Sequence, residues 1–176
     1  MKRIILGISG ASGVELGVAF LRALPPTIKK YVIVSDHAKV VFQQEPSTFF
    51  LDDENIGAIT ASGSFQCDAM AIIPCSMNSL AKIAYGIADN LLTRTAAVMI
   101  KEKRTLLLAP REMPFSAIAL ENMLKLSHLG IHIAPPVLGY YAKSETLEDM
   151  ENFLIGKWFD LLGIEHSLFR RWEGQA

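Results

Sequence analysis

The sequence predicts an α/β protein: a doubly wound, mostly parallel sheet with helices on both faces, the three-layer sandwich of flavodoxin-like and Rossmann-like folds. Three observations lead there. Short runs are apolar at consecutive positions, they alternate with longer segments of helical period, and each ends in small residues or proline. A run without polar alternation belongs to a strand buried on both faces, which is the signature of a parallel sheet. Right-handed crossovers between such strands leave few topologies besides the doubly wound one.

The elements follow in order. Arg3–Ile8 reads as the first strand, and Val14–Leu24 as a helix stopped by Pro25 and Pro26, which cannot continue it. Tyr31–Ser35 is a second strand and His37–Gln44 a short helix, with a loop expected from Gln44 to Phe65. Asp52, Asp53 and Glu54 read as the acidic first turn of a helix. Asp68–Pro74 gives a third strand, followed by helices over Ser76–Tyr85 and Asn90–Lys103. Thr105–Ala109 is a fourth strand, Phe115–Leu129 a helix, Ile131–Ala134 a fifth strand, and Thr146–Leu162 a closing helix before a polar tail.

Composition narrows the possibilities further. The 176 residues carry 17 Lys plus Arg against 18 Asp plus Glu, so there is no basic surplus for nucleic acid. With 51% hydrophobic and 20% charged residues the chain is not disordered, and its length suits a single domain over residues 1–176. A mean hydropathy of +0.29 raises the question of a membrane span, yet no apolar stretch approaches the ~18 residues required. Apolar residues in excess of a small core must face something, and a homo-oligomer is expected. The apolar run after Met1, Lys2 and Arg3 ends at Gly7, too early for a signal peptide. Cys67 and Cys75 fit no zinc spacing and read as reduced thiols of a cytoplasmic protein.

Ligands of such sheets bind at the strand carboxyl ends, so the residues after each strand belong together. The first is followed by Gly-Ile-Ser-Gly-Ala-Ser-Gly at 7–13, which allows close backbone approach and presents free N–H groups to a phosphate. It is neither a P-loop nor a G-x-G-x-x-G, and the second strand lacks the terminal acid of an NAD site. After the third strand, Ser76, Met77, Asn78 and Ser79 open a helix with hydroxyls and an amide. After the fourth, Arg111 and Glu112 stand between Pro110 and Pro114; after the fifth come Pro135, Pro136 and Tyr140-Tyr141. Arg94 and Lys101, seven apart, share a helix face.

Taken together these motifs resemble the flavin prenyltransferases, the UbiX family. The resemblance runs from Lys2 to Trp172. It includes Ser-Gly-Ser-Phe at 62–65, Pro-Cys-Ser at 74–76, Asn-Leu-Leu-Thr-Arg-Thr-Ala at 90–96, Lys-Glu-Lys-Arg at 101–104, Pro-Arg-Glu at 110–112 and Pro-Pro-Val at 135–137. The resemblance implies transfer of dimethylallyl from dimethylallyl monophosphate to N5 and C6 of reduced FMN, without metal. The product, prenylated FMN, would pass to a UbiD-type decarboxylase. It implies FMN contacts at Gly10, Ala11, Ser12, Ser35, Ser76, Met77, Asn78, Ser79 and Arg111, with Ser12 also among the catalytic residues. Tyr141 and Lys157 would hold the allylic phosphate beside Arg94 and Lys101, Glu45 and Glu112 would lie near the reacting groups, and Trp172 would be the C-terminal aromatic. Lys157 stands where relatives commonly have arginine, and as a point charge it still suits phosphate. A dodecamer whose neighbouring subunits complete each site is also implied. Two other readings share the flavin loop: a flavin-dependent cysteine decarboxylase and a non-catalytic flavin carrier.

Overall fold

The computed structural model describes residues 1–10, 13–34, 47–140 and 144–171. Six strands, β1 (Arg3–Ile8), β2 (Lys29–Val34), β3 (Thr48–Asp52), β4 (Ala69–Cys75), β5 (Thr105–Pro110) and β6 (His132–Ile133), form one sheet in the order β3-β2-β1-β4-β5-β6. All neighbouring pairs are parallel. Five helices accompany them: α1 (Val14–Ala23), α2 (Met77–Ala84), α3 (Leu91–Lys101), α4 (Ala117–Ser127) and α5 (Leu147–Leu161).

Alternate residues of each central strand feed two separate cores. Ile4, Leu6 and Ile8 point to the side of α1 and α5, where Phe20, Leu154, Trp158 and Phe159 pack. Ile5, Met70, Ile72, Leu106 and Leu108 point to the side of α2, α3 and α4, against Leu80, Leu92, Met99 and Met123. This two-sided burial is why the strands lack polar alternation. Helix starts are marked locally: Ser76, Asn90, Ser116 and Thr146 each accept an N–H from the third residue of the helix they precede. Gly13, before α1, sits at φ 101°, a left-handed backbone that glycine adopts without strain.

Two readings of the sequence are corrected. The expected loop over residues 44–65 contains β3, which pairs along β2 from Lys30↔Thr48 to Val34↔Asp52. As an edge strand with Phe49 and Phe50 largely exposed it lacks the continuous burial that marked the other strands. No helix begins at Asp52–Glu54 either: Asp52 ends β3, and Asp53 serves the start of α3, 39 residues further on. The helix expected at 37–44 lies outside the described residues.

Candidate functional site

β1 and β4 are neighbours whose following helices depart to opposite faces of the sheet, so a crevice opens between their carboxyl ends. A pocket of about 260 Å³ occupies it. One wall is Ser9, Gly10, Ser76, Asn78 and Ser79; the other is Asp53, Asn90 and Leu92.

The first wall is tied together through Ser9, which is 3% exposed. Its hydroxyl accepts from the Ser76 N–H (2.8 Å) and donates to the Pro74 carbonyl (3.2 Å), locking the β1 and β4 turns in register. The Ser76 oxygen accepts from the Ser79 N–H (3.1 Å), and the two hydroxyls are also bonded at 3.1 Å. The N–H groups of Met77 and Asn78, the first two of α2, bond to no described residue. They point along the helix axis into the region of the pocket, where the helix dipole favours an anion.

The opposite wall is the N-terminus of α3, and it is closed. The Leu91 N–H donates to the Asp53 carbonyl (2.7 Å), the Leu92 N–H to Asp53 Oδ1 (2.8 Å), and the Thr93 N–H to Asn90 Oδ1 (2.9 Å). Asn90 Nδ2 in turn donates to Asp53 Oδ2 (2.9 Å). Asp53 is 7% exposed, so this cap is a buried carboxylate. Its negative charge occupies the place an anion would otherwise take.

Cys75, between the two halves of the first wall, is buried, and desolvation pushes its thiol up to about 12. It presents no thiolate at neutral pH. At the end of β5 the Arg111 N–H donates to the Cys75 carbonyl (3.3 Å), which sets Arg111 and Glu112 beside the β4 turn, both side chains exposed. Glu112 Oε1 accepts from the Met113 N–H (3.1 Å), and among the described residues no ion pair joins it to Arg111.

The structure therefore brings together Gly10, Ser76, Asn78 and Ser79, with Met77 adjoining and Arg111 and Glu112 at the next strand end. It does not bring together Arg94, Lys101 and Lys157. Arg94 is exposed one turn into α3. Lys101 is at the opposite end, about 10 Å further along the axis, and is ion-paired with Glu102 at 2.8 Å. Lys157 is exposed on α5, across the sheet from α3. In one chain the sheet separates these cations. Ala11, Ser12, Ser35, Glu45, Tyr141 and Trp172 lie outside the described residues. The sequence did not mark Ser9, Asp53 or Asn90 as site residues. For Asn90 a signal existed in Thr93 three residues later, the partner in a reciprocal cap.

Fold and crevice thus define a doubly wound α/β protein with an anion cradle at its topological switch point. The Flavoprotein family model matches residues 1–159. The flavin prenyltransferase UbiX of Helicobacter pylori is 51% identical, over 97% of this chain and 98% of its own length. That of Campylobacter jejuni is 47% identical, over 97% and 98%. Among solved structures, a dodecameric FMN-dependent UbiX-like decarboxylase from Escherichia coli O157:H7 matches with TM-score 0.90 and 40% identity, over 98% of this chain and 100% of that one. A UbiX in complex with FMN and dimethylallyl pyrophosphate matches with TM-score 0.91 and 36% identity, over 99% of both chains. A PPC decarboxylase mutant, 21% identical with TM-score 0.67, shares the fold alone. The chain belongs to the flavin prenyltransferase (UbiX) family, and it is a transferase.

Proposed function

We propose that this enzyme binds FMN in the β1/β4 crevice and transfers dimethylallyl from dimethylallyl monophosphate to N5 and C6 of the reduced flavin. The product would serve a UbiD-type decarboxylase. The observation that carries the reading is the asymmetry of the pocket: α2 offers two open N–H groups and serine hydroxyls to a phosphate, while α3 is sealed by Asp53. One phosphate-bearing ligand then has one orientation. Gly10, Ser76, Met77, Asn78 and Ser79, with Ala11, Ser12 and Ser35, would hold its phosphate and ribityl chain, and Arg111 its ring. A flavin in the solved relative's complex supports this choice of ligand.

Reduced FMN, when bound, supplies the electron-rich ring that accepts the allyl group. The residues of the chain supply the rest. Lys157 and Tyr141 would hold the allylic phosphate, with Arg94 and Lys101 beside it, and fixed cations stabilise the charge that grows on a departing phosphate. Glu112, at the β5 end, or a phosphate oxygen would accept a proton, with Glu45 and Ser12 as further groups at the reacting centre. Because the sheet separates Lys157 from α3 in one chain, the clamp requires α3 of a second subunit. Exposed Ile118 and Leu124 on α4, with Phe49 and Phe50 on β3, give such a subunit apolar surface to cover. The dodecameric relative supports an assembly of this kind.

The deciding experiment is mass spectrometry of the flavin after incubation of the enzyme with reduced FMN and dimethylallyl monophosphate. A mass gain of one dimethylallyl unit is expected. FMN recovered unchanged, from enzyme shown to bind it, would overturn prenyl transfer and leave a flavin carrier.

A further inference from the structure

β4 changes neighbours at the mouth of the crevice. Its ladder with β1 runs from Ile4↔Ala69 to Gly7↔Ile72 and stops, whereas its pairing with β5 resumes at Cys75↔Pro110. Past residue 72 the strand stays with β5 and parts from β1, and backbone groups along such a split need partners from outside the ladder. Ser9 supplies them. Its N–H (3.3 Å) and its hydroxyl (3.2 Å) both donate to the Pro74 carbonyl, and its oxygen accepts the Ser76 N–H at 2.8 Å. Gly17 brings the same two parts together from α1. A Cβ there would collide with the Ile73 carbonyl, so only glycine lets the helix that follows the β1 turn lie against the end of β4.

The bond between Ser9 and Ser76 joins two residues that each stand immediately before open donors. Ser9 precedes Gly10, and Ser76 precedes Met77 and Asn78; none of these three N–H groups bonds to a described residue. Ser9 and Ser76 are 67 residues apart in sequence, so a single side-chain bond sets the distance between the two donor sets in space. Ser9 keeps no donor for a ligand, since its N–H and O–H are both spent on Pro74. We propose that Ser9 is a positioning residue for the flavin phosphate: it holds the Gly10 N–H of the β1 turn and the Met77 and Asn78 N–H groups of α2 at the separation where one phosphate takes donors from both. Donors fixed before the ligand arrives need no ordering when it binds. This inference deepens the reading above that FMN lies in the β1/β4 crevice with its phosphate at α2, and it rests on that reading. A hydroxyl that only stabilised the fold would serve any flavin alike, whereas Ser9 acts through the phosphate and so distinguishes FMN from riboflavin.

The test is fluorescence titration of FMN and of riboflavin into the wild-type chain, Ser9→Ala, Ser9→Cys and, as a control, Thr95→Val. Ser9→Ala removes the acceptor and the donor together. Ser9→Cys keeps a side chain of similar shape but offers only a weak acceptor, so the test survives a failure of Ser9→Ala to fold. Thr95→Val removes a buried hydroxyl bond, to Thr60 at 3.0 Å, from a part of α3 that does not line the pocket. The FMN dissociation constant is expected to rise about tenfold in Ser9→Ala and about threefold in Ser9→Cys, with riboflavin within twofold of wild type in both. Thr95→Val should leave both ligands within twofold. FMN unchanged in the Ser9 variants, or FMN and riboflavin weakened by equal factors, would overturn the positioning role. A Thr95→Val that shifts FMN against riboflavin as strongly as Ser9→Ala would overturn it too, because the loss would then follow stability and not the cradle. A wild-type chain that binds riboflavin as tightly as FMN would instead overturn the phosphate's place in the crevice, and the role of Ser9 with it.

Discussion

The N-termini of α2 and α3 face the same pocket and present opposite chemistry. Both are helix starts with a polar cap, and both carry the positive end of a dipole. At α2 the cap is a serine that satisfies only the third N–H, so two donors remain for a ligand. At α3 the carboxylate and carbonyl of Asp53 and the amide of Asn90 take the first three donors before any ligand arrives. A helix N-terminus is thus not an anion site by position; it becomes one through the donors its own neighbours leave over. With one end open and the other sealed, the crevice has a direction.

Removal of the seal should produce the largest effect. Asp53→Ala leaves the Leu92 N–H and Asn90 Nδ2 without their buried acceptor, and a loss of about 3 kcal/mol is expected for hydrogen bonds to a charged group. Differential scanning calorimetry should show Tm falling by roughly 6–12 °C for a chain of this size. A fall of a degree or less would mean that water replaces the carboxylate and that the contrast between the helices is shallow.

Alteration of the open end should act on the ligand more than on the fold. Ser76→Ala should cost about 1 kcal/mol of stability as a lost cap. It should weaken FMN about tenfold, the equivalent of 1.4 kcal/mol, and leave riboflavin affinity unchanged in parallel titrations. Equal weakening of both ligands would place the phosphate elsewhere. Cys75→Ala, in the same wall, should cost on the order of 1 kcal/mol for lost packing and leave flavin affinity and turnover within about twofold, since a thiol pushed to about 12 does no chemistry at neutral pH. Loss of turnover with flavin still bound would give the thiol a role.

The smallest effect concerns Asp89, which precedes the α3 cap. Its hydrogen bond and ion pair with Lys82 of α2, at 2.7 Å, hold its carboxyl below the usual range. The folded protein therefore favours the ionised form, and the contribution is complete above the ordinary carboxylate pKa and lost as pH falls through the depressed one. Half-exposed as Asp89 is, solvent screening keeps the contribution small. Asp89→Asn should slightly flatten the acid limb of a Tm-versus-pH curve and leave neutral pH almost unchanged; an unaltered acid limb would show the ion pair idle.

Five of the strands and the open wall of the pocket were legible because their signals are local. Runs such as Ile4–Ile8 and Ala69–Ile73 are buried on both faces, and Ser76 caps the helix that follows it directly. What escaped reading depends on partners distant in sequence. β3 has three apolar residues between polar ones, and its strand character comes from alignment along β2 at the sheet edge. Asp53 looked like the start of its own helix because acidic residues commonly begin one; only the fold shows that the helix it caps is 39 residues away. The separation of Arg94 from Lys157 was likewise invisible, since face assignment depends on which side of the sheet each crossover takes.

The strand order also constrains how the chain folds as it is made. β1 occupies the middle of the sheet although it leaves the ribosome before the other five strands, and its partner on one side, β4, pairs Ile4 with Ala69, 65 residues later. At 5–20 residues per second that strand arrives roughly 3–13 s after β1. During that interval β1, α1 and β2 can assemble one flank, while the other edge of an almost wholly apolar strand stays unpaired. Nascent chains stalled before residue 69 should accordingly be the most dependent on chaperones, and those stalled after β4 has emerged much less so.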